Sequence, residues 1–395
     1  AEPKRFPNSK IHLFTLICCA VALGIATELE ERYPFFPHSA KDEQRIRKMV
    51  DEINAADLPW KAEYNAYASL EGQYVGEIPS MASLKLEGID LAESVRRQLV
   101  GNTEEHLTTL AKMNITLPES FDARDKWPRC SSIHHILNQG GCGSCWAAAT
   151  VSVLSDRLCI SSDSKQQQLI SLQDLVSCCE YCGACTGGQT GFAFLYWKNN
   201  GIVTGGSFGS SEGCRPYEVP ATCGTPCPAY FYTPKYNEQC NRTCSNMYGS
   251  NYESDLRKGK SFYFVTIGEG YMYHPERVYS QVFTERNRVH RAFRISSTDL
   301  IKREIITNGP VAFCTMVHEP FAHYRSGVFT SAFDSEGHQN LLYGHCMRMI
   351  GWGKENGEEF WTIANSWGRQ WGENGFGRLS MNYYPDDLTV FGGLW

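Results

Sequence analysis

The residues best suited to chemistry in this chain sit in Gln139-Gly-Gly-Cys142-Gly-Ser-Cys145-Trp146. Spaced as Cys-x-x-Cys, the two thiols match a redox dithiol, one attacking and the other resolving. The same residues also allow a single nucleophile. A thiol becomes reactive when a helix N-terminus or a neighbouring imidazolium stabilises its thiolate. Ser144 to Leu158 is rich in Ala, Val and Leu and lacks Gly and Pro, which predicts a helix with Ser144 as N-cap and Cys145 in the first turn. Gln139 is near enough in sequence to set its side-chain amide beside the Cys145 N–H. Two such donors would form an oxyanion hole.

A nucleophile needs a base, and the candidate is His345. It lies in Leu341-Leu-Tyr-Gly-His-Cys-Met-Arg-Met-Ile-Gly-Trp-Gly353, where apolar and small residues alternate as in a buried strand. A second strand, Phe360-Trp-Thr-Ile-Ala-Asn365-Ser366-Trp367, ends in a polar Asn followed by an indole. Asn365 would orient the His345 ring, and Trp367 would shield that contact from water.

Cys-Gly-Ser-Cys-Trp after Gln139, Gly344-His345 ahead of Gly-Trp-Gly, and Asn365-Ser-Trp together resemble the papain-like cysteine proteases, and the cathepsin B-like group in particular. Trp371–Gly377 and Gly213–Tyr217 extend the likeness. The resemblance implies an α+β, papain-like two-domain fold. A helical left domain would carry Cys145, and a β-barrel-like right domain would carry His345 and Asn365. The cleft between them would bind an extended peptide, lined by Gly187, Gly188, Tyr343, Gly344, Cys346, Trp367 and Thr389. The reaction it implies is peptide hydrolysis through an acyl-enzyme thioester, with no cofactor and no metal. The alternative is a catalytically impaired, protease-shaped binding protein whose cleft is blocked; a redox enzyme has no support beyond its four-letter motif.

The rest of the chain has to deliver these residues to a place where they can act. At 395 residues it exceeds one average domain, and its net charge of −6 gives no reason to expect nucleic acid as a partner. The 17 cysteines are many for a cytosolic enzyme and point to an oxidising compartment. Lys4, Arg5 and Lys10 precede an apolar run from Ile11 to Ala26 that is short for a membrane span, so residues 1–26 read as a secretory signal with no stable membrane association. A secreted or lysosomal destination follows, and with it two N-glycosylation sequons, at Asn114 and Asn241.

Ile46, Met49, Val50 and Ile53 space one face of a helix over Lys41 to Ala56, with Ser39 and Asp42 as a possible capping box. From Leu58 to Leu117 no long periodic run is visible. Pro59–Asn65 resembles the segment after the first pro-helix of cathepsin B, and Leu117–Arg124 resembles the start of its mature chain. The resemblance therefore implies a propeptide at 27–116, inhibiting its own enzyme, and a mature domain at 117–395 acting on protein or peptide substrates.

Cys178-Cys179-Glu-Tyr-Cys182-Gly-Ala-Cys185 could suggest zinc, but exported thiols tend to pair with one another. The cathepsin B likeness implies Cys130–Cys159, Cys142–Cys185, Cys178–Cys240, Cys179–Cys182, Cys214–Cys244 and Cys223–Cys227. With Cys18 and Cys19 excluded as part of the signal, it leaves Cys145, Cys314 and Cys346 unpaired, and it takes from Cys145 the partner a redox couple would need.

Several departures bear on specificity. No histidine occurs between Cys214 and Cys244, where cathepsin B carries the paired histidines of its occluding loop. Endopeptidase activity with weak or absent dipeptidyl carboxypeptidase activity is expected. Tyr343 replaces a usual Gly, Cys346 a small residue and Ala148 a Phe. Thr389 stands where an acidic residue is usual, which favours an apolar P2. Residues 265–290 form an insertion without a counterpart in the likeness.

Overall fold

A computed structural model describes residues 40–65, 91–185, 187–221, 239–266, 288–289, 291–330, 341–383 and 388–395. The apolar run to Ala26, Ser39, Cys223 and Cys227 lie outside them, as does most of the 265–290 insertion.

The chain enters through helix α1 (Ala40–Ala55), whose Ile46, Val50 and Ile53 are buried as their spacing predicts. Strand β1 (Trp60–Ala62) follows, and then a helix of 22 residues, α2 (Leu91–Lys112). This helix corrects the reading of an irregular segment up to Leu117. Its docked face presents Thr103 and His106 beside Leu107 and Leu110, so part of what it buries is polar and the apolar period is interrupted. Strand β2 (Phe121–Asp122) then joins the main sheet.

The helical layer comes next. Helix α3 (Cys145–Ser161) is its axis, buried on nearly every side, because Ala, Val and Leu surround it rather than forming one stripe. Helix α4 (Leu172–Cys178), the two-residue strands β3 (Gly183–Ala184) and β4 (Gly187–Gly188), and helix α5 (Thr190–Asn199) complete this layer.

The sheet layer holds β5 (Ser261–Thr266), helix α6 (Ser297–Asn308), β6 (Val311–His318), β7 (Tyr324–Phe329), β8 (Leu341–Glu355), β9 (Glu358–Ala364), β10 (Phe376–Ser380) and β11 (Thr389–Leu394). Among the described residues the strands run β1-β7-β10-β9-β8-β6-β11-β5, with β2 also on β8. Along β8, Cys346 packs into the core shared with the helical layer, while Met347 and Met349 face the second core. The period of two thus sends alternate side chains of one strand to two cores.

Buried ion pairs tie the layers together. On α3, Asp156 accepts from Arg348 of β8 at 2.7 Å, and Arg157 donates to Glu304 of α6 at 2.7 Å. All four side chains are at most 3% exposed, so neither charge has water to fall back on.

Candidate active site

Cys145 is the first residue of α3, placed at the border between helical layer and sheet. The sequence made Ser144 the side-chain cap, and the structure corrects this. Ser144 holds the N-cap position but makes no capping bond; its hydroxyl donates to Tyr217 Oη at 3.2 Å, while Tyr217 donates to the Gln139 carbonyl at 2.8 Å. The Ala147 and Ala148 N–H groups donate to the Ser144 carbonyl, while the backbone N–H groups of Cys145, Trp146 and Cys346 bear on the Cys145 thiol.

Gln139 is fixed by bonds at both ends of its side chain. Its Oε1 accepts from Ser366 Oγ at 2.7 Å and its Nε2 donates to the Cys142 carbonyl at 2.9 Å. Neither bond uses the second Nε2 hydrogen. Replacing Gln139 by Ala is expected to lower kcat by roughly 10²–10³-fold with KM little changed. Steady-state kinetics showing an unaltered kcat would remove Gln139 from the oxyanion hole.

On the sheet side, His345 Nε2 lies 2.8 Å from Asn365 Oδ1. The Ser366 backbone N–H donates to that same oxygen at 2.8 Å, which identifies it as the amide's acceptor. His345 Nε2 must then carry the hydrogen, which leaves Nδ1 as the basic nitrogen of the neutral ring. The Trp367 ring stacks on His345 at 4.6 Å, is 1% exposed, and closes this pair off from solvent.

Burial pushes the Cys145 thiol up, against the pull of the three N–H groups. Burial also lowers His345 to about 4, against the bond to Asn365. Each charge alone is thus disfavoured. A proton passed from Sγ to Nδ1 would create both charges together, and their attraction would offset part of both desolvation costs.

The sequence profile of the papain family cysteine proteases matches residues 117–387 of this chain. The chain belongs to the papain family. It is 37% identical to cathepsin B-like cysteine proteinase 1 of Ostertagia ostertagi over 279 residues, which cover 68% of this chain and 70% of that protein. It is 36% identical to cathepsin B-like cysteine proteinase 3 of Caenorhabditis elegans over 338 residues, covering 84% and 77%. Among solved structures, procathepsin B S9 of Trypanosoma congolense superimposes with a TM-score of 0.58 at 27% identity, covering 90% of this chain and 98% of that one. The α+β two-layer architecture is the papain-like two-domain fold, and the protein is a cysteine-type endopeptidase.

Within this papain-family site the other expected residues fall as follows. Gly187 has φ of +121°, a region that favours glycine. A Cβ on Gly188 would lie 2.5 Å from the Trp146 indole, so packing on Trp146 alone requires glycine there. Gly344 is exposed on β8. Tyr343 stands opposite Val317 of β6, and its ring is outside the described residues. Cys346 and Thr389 were expected in the cleft wall; both are buried, in one cross-strand row with Cys314. Asn114 and Asn241 are exposed.

Disulfides join Cys130–Cys159, Cys142–Cys185, Cys178–Cys240, Cys179–Cys182 and Cys214–Cys244. The reading of Cys314 and Cys346 as unpaired is wrong. They form a sixth bridge, because β6 and β8 pair in the register that sets the two side by side. Cys145 is the free cysteine among the described residues.

Ser366 and Tyr217 were missed as functional residues. Both lie inside quoted motifs, Asn-Ser-Trp and Gly-Cys-Arg-Pro-Tyr. A hydroxyl conserving no charge gives little sign in sequence that it anchors a neighbour's backbone or amide.

Proposed function

We propose that this papain-family enzyme is made as a zymogen and cleaves internal peptide bonds with Cys145 as nucleophile and His345 as base. The observation that carries the reading is the His345–Asn365 bond, with its oxygen identified by the Ser366 N–H, next to the strand position whose backbone meets the Cys145 thiol.

The Cys145 proton passes to His345 Nδ1 as sulfur attacks the substrate carbonyl carbon. The Cys145 N–H and Gln139 Nε2 hold the oxyanion. Collapse of the tetrahedral intermediate breaks the C–N bond, and the imidazolium gives its proton to the leaving amine. His345 then takes a proton from water, which attacks the thioester and frees the acid and the thiol. Asn365 keeps the ring in the tautomer and orientation that both steps need.

This reading has a signal at 1–26, a propeptide at 27–116 and a mature domain at 117–395, and its propeptide is supported by how α1 and β1 dock. Strand β1 pairs antiparallel with β7, and Trp60 packs its ring 4.6 Å from Phe329. Arg45 makes a two-pronged contact with the buried Glu319, at 2.7 and 3.0 Å. The Asn65 N–H donates to His323 Nδ1 at 3.1 Å. That last bond requires a neutral imidazole, since protonation would turn the acceptor into a donor. Secretion and glycosylation at Asn114 and Asn241 belong to the same reading.

The absence of histidine between Cys214 and Cys244 supports endopeptidase action without efficient dipeptide release. The full chain is expected to resist an irreversible thiol-directed peptidyl probe at neutral pH. After acidification it should take up label on Cys145 and cleave an internally quenched peptide with a blocked C-terminus. A folded, processed protein unlabelled at Cys145 would sink the catalytic reading. Rapid release of C-terminal dipeptides would sink only the preference for internal bonds.

A further inference from the structure

One bridge adjoins the proposed base in sequence, Cys314–Cys346. Cys346 directly follows His345 in β8, and its own backbone N–H bears on the Cys145 thiol. Cys314 sits opposite it on β6. Both sulfurs are also gripped from the helical layer, where the Thr190 hydroxyl lies 3.3 Å from each. A bridged sulfur has no hydrogen to give, so the hydroxyl is the donor, its one hydrogen shared between the two sulfurs. Thr190 opens α5, two residues after the Gly187–Gly188 strand that lies against Trp146.

The nucleophile and the base come from different layers, and their separation is set wherever those layers are pinned. Asp156–Arg348 pins α3 to β8 two residues beyond Cys346 on one side. The bridge with Thr190 pins the same strand to β6 and α5 on the other.

We propose that the Cys314–Cys346 bridge is a positioning device for the reacting pair: it fixes His345 and the Cys346 N–H against Cys145. A bridge that served folding alone could join β6 and β8 at any facing pair. This one falls on the residue adjoining the base, at 5% and 7% exposure and in contact with the opposite layer. Errors of about 1 Å in such geometry cost on the order of 10²-fold in rate, and a freed strand end is expected to spend part of that.

The inference rests on the reading of Cys145 and His345 as the reacting pair. The test is the doubly substituted Cys314→Ala/Cys346→Ala enzyme, assayed below its melting temperature beside the wild type. The expected result is a kcat lower by roughly tenfold, KM within about twofold, and Cys145 alkylation by iodoacetamide slowed in parallel. A lowered melting temperature with unchanged kcat and alkylation rate would reduce the bridge to a structural staple and overturn the proposal. If the variant does not fold, wild-type enzyme titrated with a phosphine reductant serves instead, with opened bridges mapped by mass spectrometry. Loss of kcat in step with the appearance of thiols at 314 and 346 supports the proposal; full kcat with that bridge open overturns it. A wild-type enzyme whose Cys145 fails to react with the peptidyl probe would instead indict the underlying catalytic reading.

Discussion

Cys145→Ala enzyme, freed of its pro-segment by added wild-type protease, is expected to hydrolyse peptides about 10⁵–10⁶-fold more slowly than the parent. The size follows from the site. On the proposed reading Gln139 and the backbone N–H at position 145 would still face the substrate carbonyl, so residual activity would reflect binding and oxyanion contacts only. His345→Ala should cost nearly as much, and the double variant hardly more, because thiol and imidazole act as one unit. Asn365→Ala should cost less, since Trp367 still holds the ring from its face. Burst titration with the peptidyl probe, corrected for contaminating wild type, checks the series. A Cys145→Ala enzyme within a hundredfold of the parent would mean another residue attacks.

The largest effect on stability is expected at Arg348. Its guanidinium donates to Asp156 Oδ2 at 2.7 Å and to the carbonyls of Ser132, Ile133 and His135 at 3.0, 3.2 and 2.8 Å. Burial pushes the Asp156 carboxyl up, and Arg348 is the principal influence holding it down. Arg348→Met strands that carboxyl and three carbonyls in a dry interface at once. The loss should be about 3–5 kcal/mol, read as a shift in urea unfolding midpoint at constant slope. Arg348→Met/Asp156→Leu should recover much of it, because an apolar pair of similar volume leaves no buried charge behind. A single-variant loss under about 1 kcal/mol would mean that water reaches the pair.

The residues proposed to react are legible in the sequence because each is announced locally. A cysteine before a Gly-free apolar stretch, a Gly-His on an alternating strand and an Asn ending another strand reveal their chemistry within a few positions. What was lost depended on register between distant segments. Nothing near Cys314 or Cys346 shows that β6 and β8 will face them, and likeness to cathepsin B left both out of the pairing. Helix α2 was lost for another reason: Thr103 and His106 replace apolar residues on its docked face, so periodicity has little to detect. Ser144 was misread because its hydroxyl had two legitimate uses, and the buried Tyr217 claimed it.

The docking of α2 has a further consequence. β5 ends the described sheet order, and on its outer side the Phe264 N–H donates to Thr103 Oγ1 of α2 at 3.2 Å. Strand borders with unspent backbone donors and acceptors recruit other strands. If α2 departs with the pro-segment, the cut that opens the cleft also bares a border able to join a second molecule. On the proposed zymogen reading, the pro-segment would then guard against self-association as well as against premature proteolysis.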